Sequence, residues 1–280
     1  MSIRPTAVAG TWYPSSPGAL TREVDEYLGA AGEAPAGDVS AVIAPHAGIM
    51  FSGPVGAYAY NAAARGTYDV AVLVGPSHFV AFDGVALYPD GAFACPLGPA
   101  VIDEIVAASI AHAPIVRPLP SAHAREHSLE MQLPFLKRVL PDLPIVPLLM
   151  GLQRREVIDQ LAEALVNGLQ GRRPLLIAST DLSHYFDAAT AARLDAEVGA
   201  CVAAFDADRL LALFETYPEG ERGRHVGCGI GPAISVMKAA RALGAREARV
   251  LRYAHSGQVS GDDSGVVGYL AAAMGRFDAQ

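Results

Sequence analysis

The stretch Val39-Ser40-Ala41-Val42-Ile43-Ala44-Pro45-His46-Ala47-Gly48-Ile49-Met50-Phe51-Ser52-Gly53-Pro54-Val55-Gly56-Ala57-Tyr58-Ala59-Tyr60-Asn61-Ala62-Ala63-Ala64 holds no Asp, Glu, Lys or Arg across 26 residues. A membrane-spanning helix needs about 20 apolar residues, so length alone permits one. The punctuation does not. Pro45, Pro54, Gly48, Gly53 and Gly56 interrupt any continuous helix. The run reads instead as an apolar strand over Val39–Ala44, a turn carrying His46, and a helix over Gly56–Ala64. Such a strand suits the covered interior of a parallel sheet.

The same alternation continues outward. Strand-like runs are expected at Val70–Val74, Val85–Tyr88, Ile145–Leu149, Leu175–Ser179, Ala248–Tyr253 and Gly265–Leu270. Helical patterns fall at Pro99–Ser109, Ser128–Leu140, Glu156–Leu169, Thr190–Ala204, Asp208–Thr216 and Gly231–Leu243. Gly29–Gly37 reads as a surface loop, and there is no internal repeat. The expected class is α/β: a single domain over residues 1–280, with a mixed, largely parallel central sheet covered by helices on both faces.

Composition narrows the function classes. Of 280 residues, 51% are hydrophobic and 18% charged, with a net charge of −8. That excludes disorder and argues against a nucleic-acid partner bound through a basic face. Three cysteines do not make a disulfide scaffold. Unpaired cysteines and an N-terminus without an apolar leader favour a reducing cytoplasm, and no membrane association is expected. The two lysines, Lys137 and Lys238, lie in amphipathic patterns and suit a solvated surface better than covalent catalysis.

Three histidines occupy matching places. His46, His78 and His184 each follow an apolar strand by a few turn residues. In an open α/β sheet, ligands bind beyond the carboxyl ends of the strands, so parallel strands would gather these imidazoles at one edge. Asp181 lies three residues before His184, a spacing that suits co-ligation, an acid–base pair or a simple turn cap.

Cys228 sits in Val-Gly-Cys-Gly-Ile-Gly-Pro, just before an apolar helix. Flanking glycines allow close backbone approach to a ligand, and a helix N-terminus favours thiolate. Cys201, in an Ala-rich helix, reads as core, and Cys95 as structural. Glu126-His127-Ser128-Leu129-Glu130-Met131 opens a helical pattern in which Ser128 could cap, leaving Glu126, His127 and Glu130 near its start. The order His-Glu-x-x-His is absent, as are a G-x-S-x-G elbow, a Rossmann fingerprint and a P-loop.

Taken together these motifs resemble the Memo family. The carriers are Ala9-Gly10-Thr11-Trp12-Tyr13, Ala44-Pro45-His46-Ala47-Gly48, Gly75-Pro76-Ser77-His78, Glu126-His127-Ser128-Leu129-Glu130-Met131-Gln132-Leu133-Pro134, Ser179-Thr180-Asp181-Leu182-Ser183-His184, and Cys228-Gly229. The resemblance implies a fold like that of class III extradiol ring-cleaving dioxygenases, which are non-haem iron(II) enzymes. It implies metal ligands at His46, His78 and Cys228, with Asp181 and His184 lining the same cleft. It also implies the AmmeMemoRadiSam set, with radical-SAM and AMMECR-type partner proteins. A ring-cleaving dioxygenase has a carboxylate where this chain has Cys228, and thiolate shifts preference toward softer metals such as copper.

The expected function is therefore a metal site, iron(II) or copper, serving redox or oxygen-dependent chemistry on a small-molecule substrate. His184 would be the acid–base group, oriented by Asp181, while Glu126 or Glu130 would hold a ligand histidine. One alternative is a non-catalytic module binding a peptide or protein in the old cleft. Another is a zinc hydrolase, since two histidines and a cysteine also suit zinc.

Overall fold

Apolar runs and helices alternate through residues 2–278, which the computed structural model describes. The strands are β1 (Ile3–Arg4), β2 (Gly37–Ala44), β3 (Val70–Pro76), β4 (Val85–Leu87), β5 (Ala92–Phe93) and β6 (Ala100–Val101). They continue with β7 (Val116–Pro118), β8 (Ile145–Met150), β9 (Pro174–Ser179), β10 (His184–Phe186), β11 (Glu247–His255) and β12 (Val266–Phe277).

The large sheet runs β10-β12-β2-β9-β3-β8-β4-β7, with β11 also paired to β12, and β1-β5-β6 form a small second sheet. Its centre is parallel: Ala41 faces Leu176, Leu73 faces Ile177 and Val72 faces Val146 across β2, β9, β3 and β8. β12 joins β2 antiparallel, and β4 joins β8 antiparallel. The expected mixed, largely parallel sheet is therefore present. Every residue of β3, β8 and β9 is buried. Helices cover both faces, as continuous apolar strands require.

Two packed sets of helices do the covering. Pro17–Ala30, Ile49–Ala63 and Leu133–Val139 pack together beside β2 and β12, while Arg155–Gly168 packs on Ile230–Ala242 over β9 and β3. One hydrophobic cluster runs through all of these layers.

Several expected boundaries move, each for a local reason. The helix after His46 starts at Ile49, not Gly56, with Pro54 inside it. Its glycines and proline are packing positions rather than breaks: a Cβ on Gly53 would lie 2.7 Å from the Tyr27 ring. The Pro17–Ala30 helix was not expected; only Leu20 and Val24 are buried in it, with Tyr27 and Leu28 completing a narrow stripe against the core. The helix expected over Pro99–Ser109 begins at Glu104, where Asp103 accepts the Val106 N–H, and Ala100–Val101 is strand. Ser128 caps nothing. A 3-10 turn over Glu130–Gln132 precedes the Leu133–Val139 helix, and Ser128 Oγ donates to the Pro76 carbonyl at 3.0 Å. No described helix is long and apolar enough to cross a membrane.

The topology sets the site. β2, β9 and β3 are adjacent and parallel, so their carboxyl ends share one edge. His46, Asp181 and His78 each follow the last residue of one of these strands by two positions.

Candidate metal centre

At that edge His46, His78 and Cys228 each present one ligating atom, and these atoms lie within 4.8 Å of one another. His46 is buried and Cys228 is partly exposed to the cleft. The His46 and His78 rings meet edge-on with centroids 5.2 Å apart, and His46 Nε2 lies 3.1 Å from Cys228 Sγ.

The hydrogen bonds decide which imidazole nitrogen is free. Ser179 Oγ is 2.7 Å from the Ser128 carbonyl, which only accepts, so its single proton goes there. Gln132 Nε2, itself donating to the Pro45 carbonyl, also donates to Ser179 Oγ at 2.8 Å. The 2.8 Å contact between His46 Nδ1 and Ser179 Oγ must then have the imidazole as donor. His46 therefore carries its proton on Nδ1 and turns a bare Nε2 toward Cys228. His78 is held in the same sense. Its Nδ1 donates to Glu126 Oε1 at 2.9 Å and its backbone N–H to Oε2 at 2.6 Å. Both Nε2 atoms are thus available to a cation, the arrangement in which histidine ligands are usually held. The donor set fits a transition metal.

Electrostatics agree for the imidazoles. Burial, then the neighbouring His78, His127 and His184, hold His46 well below the usual histidine range, so it is neutral at pH 7. Burial pushes Glu126 up, but the His78 interactions and the backbone N–H of Ser128 outweigh it and bring this carboxyl down to about 2.

Cys228 corrects the expected thiolate. Burial, then the Asp181 carboxylate, push its thiol well above the ordinary value, despite the Ile230–Ala242 helix that begins two residues later. In the metal-free chain it is a thiol, and a bound cation is what would make it a thiolate. Its flanking glycines also serve another purpose than the one expected. A Cβ on Gly227 or Gly229 would collide with the carbonyl of Asp181 or Ser179, so the close approach is to the end of β9 and not to a ligand. Gln153 clamps the same loop, donating to the Cys228 carbonyl at 2.6 Å and accepting from Gly231 N–H at 2.8 Å.

Asp181 sits beside the cluster, but its carboxylate accepts the His46 backbone N–H at 2.7 Å, and among the described residues no hydrogen bond joins it to His184. It anchors the His46 turn. His184 opens β10, where a bulge centred on Tyr185 breaks the register with β12. Tyr185 takes a left-handed φ of 62°, and it and His184 both line the cleft. His184 Nδ1 is buried without a partner. His127 stacks on His78 with centroids 4.6 Å apart and is covered by Trp12 at 4.3 Å. Glu130 reaches neither ligand histidine. It accepts from Arg4, from the Ala7 and Val8 N–H groups and from Tyr13 Oη, which ties down the segment bearing Trp12.

The resulting cleft has a volume of about 520 Å3 and includes Arg224 in its wall. Sequence reasoning gave no role to Ser179, Gln132, Trp12 or Gln153. The first three lie inside the quoted motifs, which was their only signal, and Gln153 had none.

The family model described as Memo-like protein matches residues 4–273. This chain belongs to the Memo family. A MEMO1 family protein of Methanopyrus kandleri is 36% identical, covering 98% of this chain and 99% of its own. One from Methanothermobacter thermautotrophicus is also 36% identical, over 95% of this chain and 98% of its own. The crystal structure of an uncharacterized Escherichia coli K12 protein superposes with a TM-score of 0.50 at 16% identity, over 74% of this chain and 86% of its own, a likeness of fold alone. Within this Memo chain, all six motifs that carried the resemblance converge on one sheet edge or on the segment that covers it.

Proposed function

We propose that this Memo-family chain holds a transition-metal ion, iron(II) or copper, at His46, His78 and Cys228 and serves redox or oxygen-dependent chemistry on a small molecule in the adjoining cleft. One observation carries the reading: three ligating atoms lie within 4.8 Å, with the second nitrogen of each histidine already engaged. When bound, such an ion would supply Lewis acidity and electron transfer through positions these three residues leave open.

The chain's own residues do the rest. Ser179 and Glu126 fix the two imidazoles. The cleft volume lies within the usual range for small-molecule sites, and the partly exposed Trp12 ring in its wall can meet a planar substrate. His184 lines this cleft, and an imidazole there can give or take a proton at a molecule lying against it. Arg224, on the same wall, suits a carboxylate or phenolate group.

The test is metal analysis of anaerobically purified protein against the His46→Ala/His78→Ala variant. Iron or copper at about one equivalent, lost in the variant, is the expected result. Equal metal in both proteins defeats the proposal. Tightly held zinc without redox response turns the reading to hydrolysis, because the same donors suit zinc.

A further inference from the structure

The opposite edge of the sheet carries a second cavity, of about 620 Å3. It opens beside the first residues of β2 and β9, at Asp38–Ser40 and Pro174. Ala44 is five residue steps along β2 from Val39, so the cavity lies roughly 15–20 Å from the metal centre. About half of its lining is apolar: Val39, Leu169 and Leu176 close its base, and Tyr68 and Leu243 are half-buried in its wall. Its rim carries four arginines, Arg65, Arg172, Arg173 and Arg276, against one lining carboxylate, Asp38. This is a local excess of positive charge in a chain of net charge −8.

Arginines at this edge have an ordinary explanation. The amino ends of parallel strands collect the carboxyl ends of the helices, where cations offset the helix dipole. Arg276 does this work, donating Nε to the Gly244 carbonyl just past the Ile230–Ala242 helix. Arg173 is spent on Asp69 at 3.1 Å. Arg65 and Arg172 are different. They follow the ends of the Ile49–Ala63 and Arg155–Gly168 helices, yet among the described residues neither guanidinium bonds a helix carbonyl or pairs with a carboxylate. Two uncommitted guanidiniums therefore stand over a cavity whose wall is partly apolar.

We propose that this cavity binds a small organic anion, one carboxylate or phosphate head on an apolar body, with Arg65 and Arg172 gripping the head and the half-buried Tyr68 and Leu243 receiving the body. Guanidinium forks match both kinds of oxyanion, and the cavity volume suits a small molecule. The site is independent of the metal centre.

Calorimetric titration of the full chain tests it, with phenyl phosphate and phenylacetate as the two head-group probes and inorganic phosphate and benzyl alcohol as controls. At least one head-group probe should bind at one equivalent, and which one does so identifies the head. Arg65→Ala/Arg172→Ala should weaken it about tenfold or more, while thermal unfolding stays unchanged because both side chains are exposed. The His46→Ala/His78→Ala variant should bind as tightly as the parent. Four results would each overturn the proposal: neither probe binds at millimolar concentration, binding survives loss of both arginines, binding is lost with the two histidines, or either control binds as tightly as the probes. Sedimentation with phosphatidylserine vesicles in the absence of probe binding would assign the arginines to a lipid surface and overturn it as well.

Discussion

A single hydroxyl decides which nitrogen of His46 faces the cleft. Ser179→Ala removes the acceptor that holds the proton on Nδ1, leaving the imidazole free to invert its tautomer. Metal affinity in competition titration should fall about 10–100-fold while the fold persists. Glu126→Gln tests the equivalent hold on His78, and pH gives it a second readout. The folded-state carboxyl lies near 2, below its ordinary 4.5. Its contribution to stability is therefore full above about pH 4.5 and is lost as pH falls toward 2. Denaturation measured across that window should show a shallower acid decline in Glu126→Gln than in the parent. Only part of this was legible in the sequence. His46, His78 and Cys228 announce themselves by residue type and strand-end position, whereas Ser179 looks like any serine entering a turn. Glu126 and Glu130 were not separable either. Four-residue spacing puts two side chains on one face only within a helix, and helical structure here begins at Glu130.

At the scale of elements, the site is the meeting of strand ends with one loop from across the sheet. The Cys228 loop has no room for side chains on its flanks. Gly229→Ala should drive the loop off β9, lowering the unfolding temperature and the metal content together, whereas Gly199→Ala, with nothing near its Cβ, should leave metal content unchanged. Tyr185 tests the bulge in β10. Its left-handed backbone costs about 1–3 kcal/mol in a residue with a side chain, so Tyr185→Gly should keep or raise thermal stability, and any loss of cleft function then belongs to the phenol ring. Strands were readable because covered parallel strands are apolar throughout. Helix limits were less so. Pro54 and Gly53 look like breaks from sequence, but what decides their role is the Tyr27 ring of another helix, a contact with no local signature.

Across the whole molecule, burial keeps several histidines neutral. Burial lowers His123 to about 3 and His127 to about 4, and His46 lies well below its ordinary value for the same reason. The unfolded chain takes up protons near pH 6.5 that the folded chain refuses, so stability falls as pH drops below that value. Each such group contributes up to about 1.4 kcal/mol per pH unit. His123 donates Nε2 to the Ala86 carbonyl, away from the metal donors, and His123→Gln can keep that bond. In chelator-treated protein, this variant should lose about one proton's worth of the slope between pH 6.5 and 4. The order of the sheet has a consequence in time. β12, the strand furthest along the chain, lies beside β2, one of the earliest, and its residues also pair with β10 and β11. During synthesis, β2 must wait for more than two hundred further residues before that neighbour exists. The Trp12 ring likewise has no His127 to cover, nor Tyr13 its Glu130 partner, until that later segment emerges. A nascent Memo chain therefore leaves the ribosome with apolar strand edges uncovered, and His46, His78 and Cys228 can meet only after the Cys228 loop has been made.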